Sequence, residues 1–126
     1  MLKITSPGGS TLLTGDIMQK SERHLLALDP ALLKCDLLVA PHHGSNSSSS
    51  PAFVAAVAPM AVWFPVGYRN RWDFPKPEVV DRYRATGAVL GDSVTDGALR
   101  MCFRPGLEPR LDLRYRLDAA RLWTAH

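Results

Sequence analysis

The chain has 126 residues, 46% of them hydrophobic and 21% charged, with a formal charge of +3. That length suits one modest domain rather than two. The composition is that of an ordinary soluble globular protein, and so mild a charge permits contact with nucleic acid without arguing for it. The longest apolar runs, "LLVAP" and "MAVWFPV", fall far short of the roughly 20 residues that span a bilayer. The opening "MLKITSPGGS" lacks the apolar core of a signal peptide. Cys35 and Cys102 sit in apolar settings without CxxC spacing, which predicts buried thiols rather than a disulfide or a zinc site.

Taken in chain order, the predicted elements alternate. "STLLTG" (10–15) is a short strand running into Gly15-Asp16. "QKSERHLLAL" (19–28) has helical spacing, with Leu25, Leu26 and Leu28 on one side and Glu22 and Arg23 on the other. "CDLLVA" (35–40) is a continuous apolar run, the pattern of a strand covered on both faces. A serine run at 47–50 is the one low-complexity segment. It ends in Ser50-Pro51, a hydroxyl cap followed by proline at the first helical position, ahead of a short helix over 52–57. "MAVWFPV" (60–66) is another buried strand, and Pro77 opens a third helix that ends near Thr86-Gly87. "AVL" (88–90) and "GALRMCF" (97–103) read as strands around the turn "VTDG". "LDLRYRL" (111–117) alternates like an edge strand, within a tail over 104–126. The order β-α-β-α-β-α-β-β indicates an α/β layer fold, a mixed sheet flanked by helices in a single domain over 1–126.

Function in such sheets lies on the loops that follow the carboxyl ends of strands. Two of these loops carry metal-type ligands. In "LLTGD" Asp16 follows a strand and a glycine; in "VAPHHGS" His42 and His43 follow another strand. Carboxylate and imidazole on rigid strand exits suit a divalent ion of the zinc, manganese or iron type. An Asp after Gly is also an ordinary turn residue, and Asp16 has the alternative of capping the helix at 19–28. His24, on a helix face, and His126, at the terminus, receive no functional reading. Arg69, Arg71, Lys76, Arg82 and Arg84 cluster in sequence around the loop "YRNRWDFPKP", interleaved with Tyr68, Trp72 and Phe74. This combination suits a DNA backbone and a stacked base; the plainer reading is a solvated loop with charges offset by Asp73, Glu78 and Asp81. Asn70, an amide between two arginines, suits a role in fixing the loop through backbone bonds.

The stretches "LLTGDI", "PHHGSNSSSS", Gly67-Tyr68-Arg69-Asn70-Arg71 and Pro75-Lys76-Pro77-Glu78-Val79, in this order, resemble the C-terminal half of a metallo-β-lactamase-fold domain. More specifically, they are similar to the domain of ComEC-type competence proteins, which internalise DNA in natural transformation. The likeness covers roughly residues 2 to 103. It implies half of an αββα sandwich. It implies that Asp16 bridges two divalent metals, zinc or manganese, with His42 as a terminal ligand and His43 as a catalytic imidazole behind it or facing substrate. Ser45, Arg69, Asn70 and Arg71 are the expected substrate-side residues. The implied activity is metal-dependent phosphodiester hydrolysis by a nuclease acting on single-stranded DNA. The implied setting is a soluble domain of an inner-membrane protein, placed extracytoplasmically and partnered by that protein's channel domain.

The chain departs from the family's pattern in two places. The principal metal motif, His-x-His-x-Asp-His, is absent, so catalysis by this chain alone is not expected, and a non-catalytic DNA- or partner-binding role stands as the alternative. Relatives also often have Gly-His-Pro where Asp73-Phe74-Pro75 stands. Half a sandwich exposes the inner apolar face of its sheet, which predicts self-association.

Overall fold

The computed structural model describes residues 1–119. The remainder of the 104–126 tail, with His126, lies outside the described residues. Five strands form one sheet in the order β1-β2-β3-β4-β5: Leu2–Ser6, Gly9–Leu13, Leu37–Val39, Ala61–Phe64 and Val89–Asp92. β1 runs antiparallel to β2, and the other pairings are parallel. The helices α1 (Gln19–Leu28), α2 (Pro51–Val57) and α3 (Pro77–Arg84) provide the crossovers between successive parallel strands. β6 (Leu99–Cys102) and β7 (Arg110–Arg114) make a separate antiparallel hairpin, and α4 (Tyr115–Asp118) is one helical turn. The fold is thus mixed α/β, as the alternation of elements indicated.

One face of the sheet and the three helices share the core. Leu12, Leu38, Val62 and Phe64 pack with Phe53, Val54 and Val57 of α2 and Val79 and Tyr83 of α3. Ser50 accepts a bond from Phe53 N at the start of α2, and Pro51 follows it, the cap expected from the sequence. Cys35 is buried and Cys102 half-buried, both as free thiols. Burial pushes the Cys35 thiol up to about 12, which makes it a poor thiolate ligand.

Four expectations need correction. β1 was not expected; "LKITS" shows two apolar positions in alternation, and it becomes a strand by pairing along the whole of β2. The expected strand at 111–117 stops at Arg114 and turns helical, and it pairs with β6 rather than edging the main sheet. The inner face expected to lie bare is partly covered. Phe103 lies against Gly9 and Leu99 against Gly91, both on the side away from the helices, and Leu37 and Ala61 are buried there. Leu2, Ile4, Leu13 and Val89 remain exposed.

The fourth correction concerns α1. The spacing placed Glu22 on its solvent side, yet Glu22 is fully buried while Leu28 is 69% exposed. A buried carboxylate is costly unless its lone pairs are used. Here they accept Ser49 N (2.5 Å) and Ser50 N (2.9 Å). Helical periodicity ranks residues by polarity, and it cannot anticipate a carboxylate buried to receive backbone donors from another segment.

Candidate functional site at the strand exits

The site assembles where β2, β3 and β4 end side by side. Thr14 is buried and donates to the Val39 carbonyl (2.7 Å), tying the β2 exit to β3. Gly15 then adopts φ +61, a left-handed conformation that glycine takes without steric cost, and the chain presents Asp16 to solvent. Asp16 does not cap α1: the cap position is Met18, with no side-chain bond.

At the β3 exit, Pro41–Gly44 forms a tight turn in which three consecutive residues have positive φ: His42 (+46), His43 (+55) and Gly44 (+85). Two adjacent non-glycine residues in that region carry strain, of the order of 1 kcal/mol or more each. Strain of this kind persists only where the surroundings hold it. His42 N donates to the Gly15 carbonyl (3.0 Å), and Lys76 N donates to the Gly44 carbonyl (2.9 Å). A Cβ at Gly44 would lie 2.6 Å from Pro75 Cβ.

Beneath the turn, the serine run that reads as low-complexity sequence is a buried polar floor. Ser48 and Ser49 are fully buried. Ser48 Oγ donates to the carbonyls of Pro41 and Ser45 (2.9 Å each). Ser49 Oγ accepts from Tyr83 Oη (3.0 Å), and its carbonyl accepts from Arg82 (2.9 Å). Burial pushes the Tyr83 hydroxyl well above its ordinary range. With the two amides held by Glu22, this floor fixes the height and tilt of the histidine turn.

The two exits converge. His43 Nε2 lies 3.4 Å from Asp16 Oδ1. It is therefore His43, rather than the expected His42, whose ring meets the carboxylate. His43 Nδ1 lies 2.7 Å from the Pro65 carbonyl. A carbonyl only accepts, so Nδ1 carries the proton and, in the neutral ring, the Nε2 lone pair is left on the Asp16 side. A metal-ligating imidazole is held in this way, its other nitrogen donating to a backbone carbonyl. His42 Nδ1 instead faces Ser47 Oγ (3.2 Å), and its ring meets Phe74 edge-on at 5.8 Å.

The donor geometry bears on the expected metal. Two ligands bonded to one tetrahedral zinc at about 2.0–2.2 Å lie roughly 3.3 Å apart, and the Asp16–His43 separation matches that spacing. A structural or catalytic shell needs three or four protein donors. Among the described residues no group of three or more His, Cys, Asp or Glu is placed to hold an ion. The residues present thus fit one edge of a divalent ion and do not close a shell around it.

The other expected residues divide. Ser45 is buried and bonded to Ser47 (Oγ–Oγ 3.0 Å). Asn70 Nδ2 donates to the Phe74 carbonyl (2.8 Å) and its Oδ1 accepts from Phe74 N (2.9 Å), so it fixes the 67–76 loop through backbone bonds. Arg69 and Arg71 are exposed and lie over the rings of Tyr68 (5.1 Å) and Trp72 (4.2 Å). Arg82 and Arg84 leave the basic cluster, one bonded to Ser49 and the other paired with Asp81. Sequence reasoning missed Glu22, Tyr83 and Pro65. The bonds that make them matter lie between segments far apart in the chain, and only the Ser-rich tract, rich in hydroxyls and amides that need partners, hinted at them.

The chain is related in sequence to competence proteins. It is 37% identical over 100 residues to "Competence protein ComA" of Neisseria gonorrhoeae, covering 79% of this chain and 14% of that protein. It is 29% identical over 116 residues to "Recombination protein 2" of Haemophilus influenzae, covering 92% and 14%. To "ComE operon protein 3" of Bacillus subtilis it is 30% identical over 80 residues, covering 64% and 10%. The chain therefore spans about a seventh or less of the length of these relatives. No family model matches the chain, and no solved structure matches it. Among the described residues, no helix is long and apolar enough to cross a membrane.

Proposed function

We propose that this chain is the part of a DNA-uptake protein that contributes Asp16 and the histidine turn to a divalent-metal site for phosphodiester hydrolysis. The observation that carries this reading is the facing of Asp16 Oδ1 and His43 Nε2 at 3.4 Å, with the His43 tautomer set by Pro65. The relation to competence proteins supports the DNA-uptake context. When bound, a divalent ion here would neutralise phosphate charge and lower the pKa of a coordinated water. Asp16 and His43 would hold it, and the remaining donors would come from elsewhere in a longer protein. The chain's own task is to aim these two groups at one point, Asp16 from the β2 exit and His43 from the strained turn at the β3 exit. The surroundings proposed are those of a soluble domain of an inner-membrane protein, on its extracytoplasmic side, beside that protein's channel domain and acting on single-stranded DNA.

The donor count favours a second reading, a non-catalytic DNA- or partner-binding domain. Calorimetric titration of the chain with zinc or manganese separates the two. Hydrolase ancestry at this site predicts weak binding, about tenfold or more weaker after Asp16→Ala or His43→Ala, as expected for loss of one of few ligands. Absent binding, or binding indifferent to both substitutions, overturns the metal assignment and leaves the binding domain.

A further inference from the structure

The loop leaving β4 places large aromatic surface in solvent: Tyr68 is 72% and Trp72 54% exposed. Neither ring stands alone. The Arg69 guanidinium lies 5.1 Å from the Tyr68 centroid, and that of Arg71 lies 4.2 Å from Trp72. Trp72 and Phe74 stack at 6.2 Å with their planes 14° apart, and Lys76 Nζ lies 5.8 Å from Phe74. Phe74 in turn meets His42. From Arg71 the contacts run through Trp72 and Phe74 to His42 at the strand exits, with Lys76 beside Phe74, and Tyr68 with Arg69 makes a second ring–cation pair on the same loop. We infer that Tyr68, Arg71 and Trp72 form a platform that binds single-stranded DNA by stacking its bases, feeding the strand toward Asp16 and His43.

The chemistry fits this occupant on three counts. A nucleic-acid strand alternates flat bases with phosphates, and base–aromatic stacking is indifferent to sequence because every base has a π-face. Between residues 67 and 76 the loop carries three cations, Arg69, Arg71 and Lys76, against the single carboxylate of Asp73, a local excess that favours a polyanion. The platform is also preorganised. Asn70 bridges to both backbone groups of Phe74, Lys76 N is anchored on Gly44, and Arg69 and Asp73 are held at positive φ (+49 and +53). Less ordering then remains to be done on binding. A lipid surface also attracts Trp, Tyr and Arg, but the near-parallel stack of Trp72 and Phe74 beside His42 suits bases better than insertion among acyl chains. The inference rests on the proposed hydrolase reading for where the strand leads, and not for the binding itself.

The test measures fluorescence anisotropy of the full chain with labelled oligothymidylate and with an abasic deoxyribose-phosphate strand of equal length, in EDTA so that no metal contributes. Trp72→Ala is expected to weaken oligothymidylate binding about tenfold. Arg71→Lys, which keeps charge and loses the planar group, is expected to weaken it by a smaller factor, and the abasic strand is expected to bind weakly and ignore both. Far-UV circular dichroism verifies that the variants fold. No oligothymidylate binding, equal binding of the two strands, or indifference to Trp72→Ala overturns the platform. A Trp72-dependent affinity for phosphatidylglycerol vesicles without one for oligothymidylate also overturns it, in favour of a membrane. Because EDTA keeps metal out of this readout, failure of the metal titration and failure of the platform are seen separately.

Discussion

The histidine turn over 41–50 and the loop over 67–76 leave neighbouring parallel strands on the same edge of the sheet, and both hold non-glycine residues at positive φ. They are stabilised in opposite ways. Under the turn, a buried carboxylate accepts the Ser49 and Ser50 amides, the buried Ser48 hydroxyl reaches the Pro41 and Ser45 carbonyls, and the Tyr83 hydroxyl donates to Ser49 Oγ. The 67–76 loop is held instead by the half-buried Asn70 amide, by backbone bonds such as Lys76 N to the Gly44 carbonyl, and by cation–π contacts in solvent. The difference suits the two tasks proposed for them. Ligand geometry near 3 Å tolerates little play, so its supports are dry and multiple. A surface that meets a variable strand benefits from side chains that can adjust on a backbone that does not.

Three substitutions sharpen this contrast. Glu22→Ala is expected to be the most damaging, about 3 kcal/mol, because it orphans two buried amides at once. Urea unfolding measures it, and a loss under about 1 kcal/mol would mean that the floor is not what holds the turn. Gly44→Ala strikes the joint between the regions, combining positive φ with a clash on Pro75. About 2 kcal/mol of destabilisation is expected, together with loss of the metal response in calorimetry. Asn70→Ala is the mildest, about 1 kcal/mol for its bonds to Phe74. It should weaken oligothymidylate binding more than it lowers the unfolding midpoint; a change in stability alone would show that the loop geometry does not serve binding.

Much of the fold is legible in local pattern. The α1 boundaries, the Ser50-Pro51 start of α2 and the apolar runs of β3 and β4 follow from spacing and capping chemistry that a few consecutive residues carry. The meeting of the TGD and PHHGS segments is legible too, because parallel strands place their exits on one edge. What could not be read depends on contacts between distant segments. That His43 and not His42 faces Asp16 depends on a carbonyl 22 residues away and on two left-handed residues that no propensity favours. β1 and the position of the β6–β7 hairpin depend on pairing and packing that short windows do not contain.

The four serines from 47 to 50 spell a repeat, yet no two of their hydroxyls have the same job. Ser47 faces His42, Ser48 reaches back to Pro41, Ser49 meets Tyr83 and Glu22, and Ser50 starts α2. Gain or loss of one serine would alter no letter of the motif that precedes it. It would nevertheless shift each hydroxyl by one place and unseat the imidazoles above, so tract length itself is a determinant of the site. Adding or deleting one serine should therefore cost more than exchanging the exposed Ser47 for alanine.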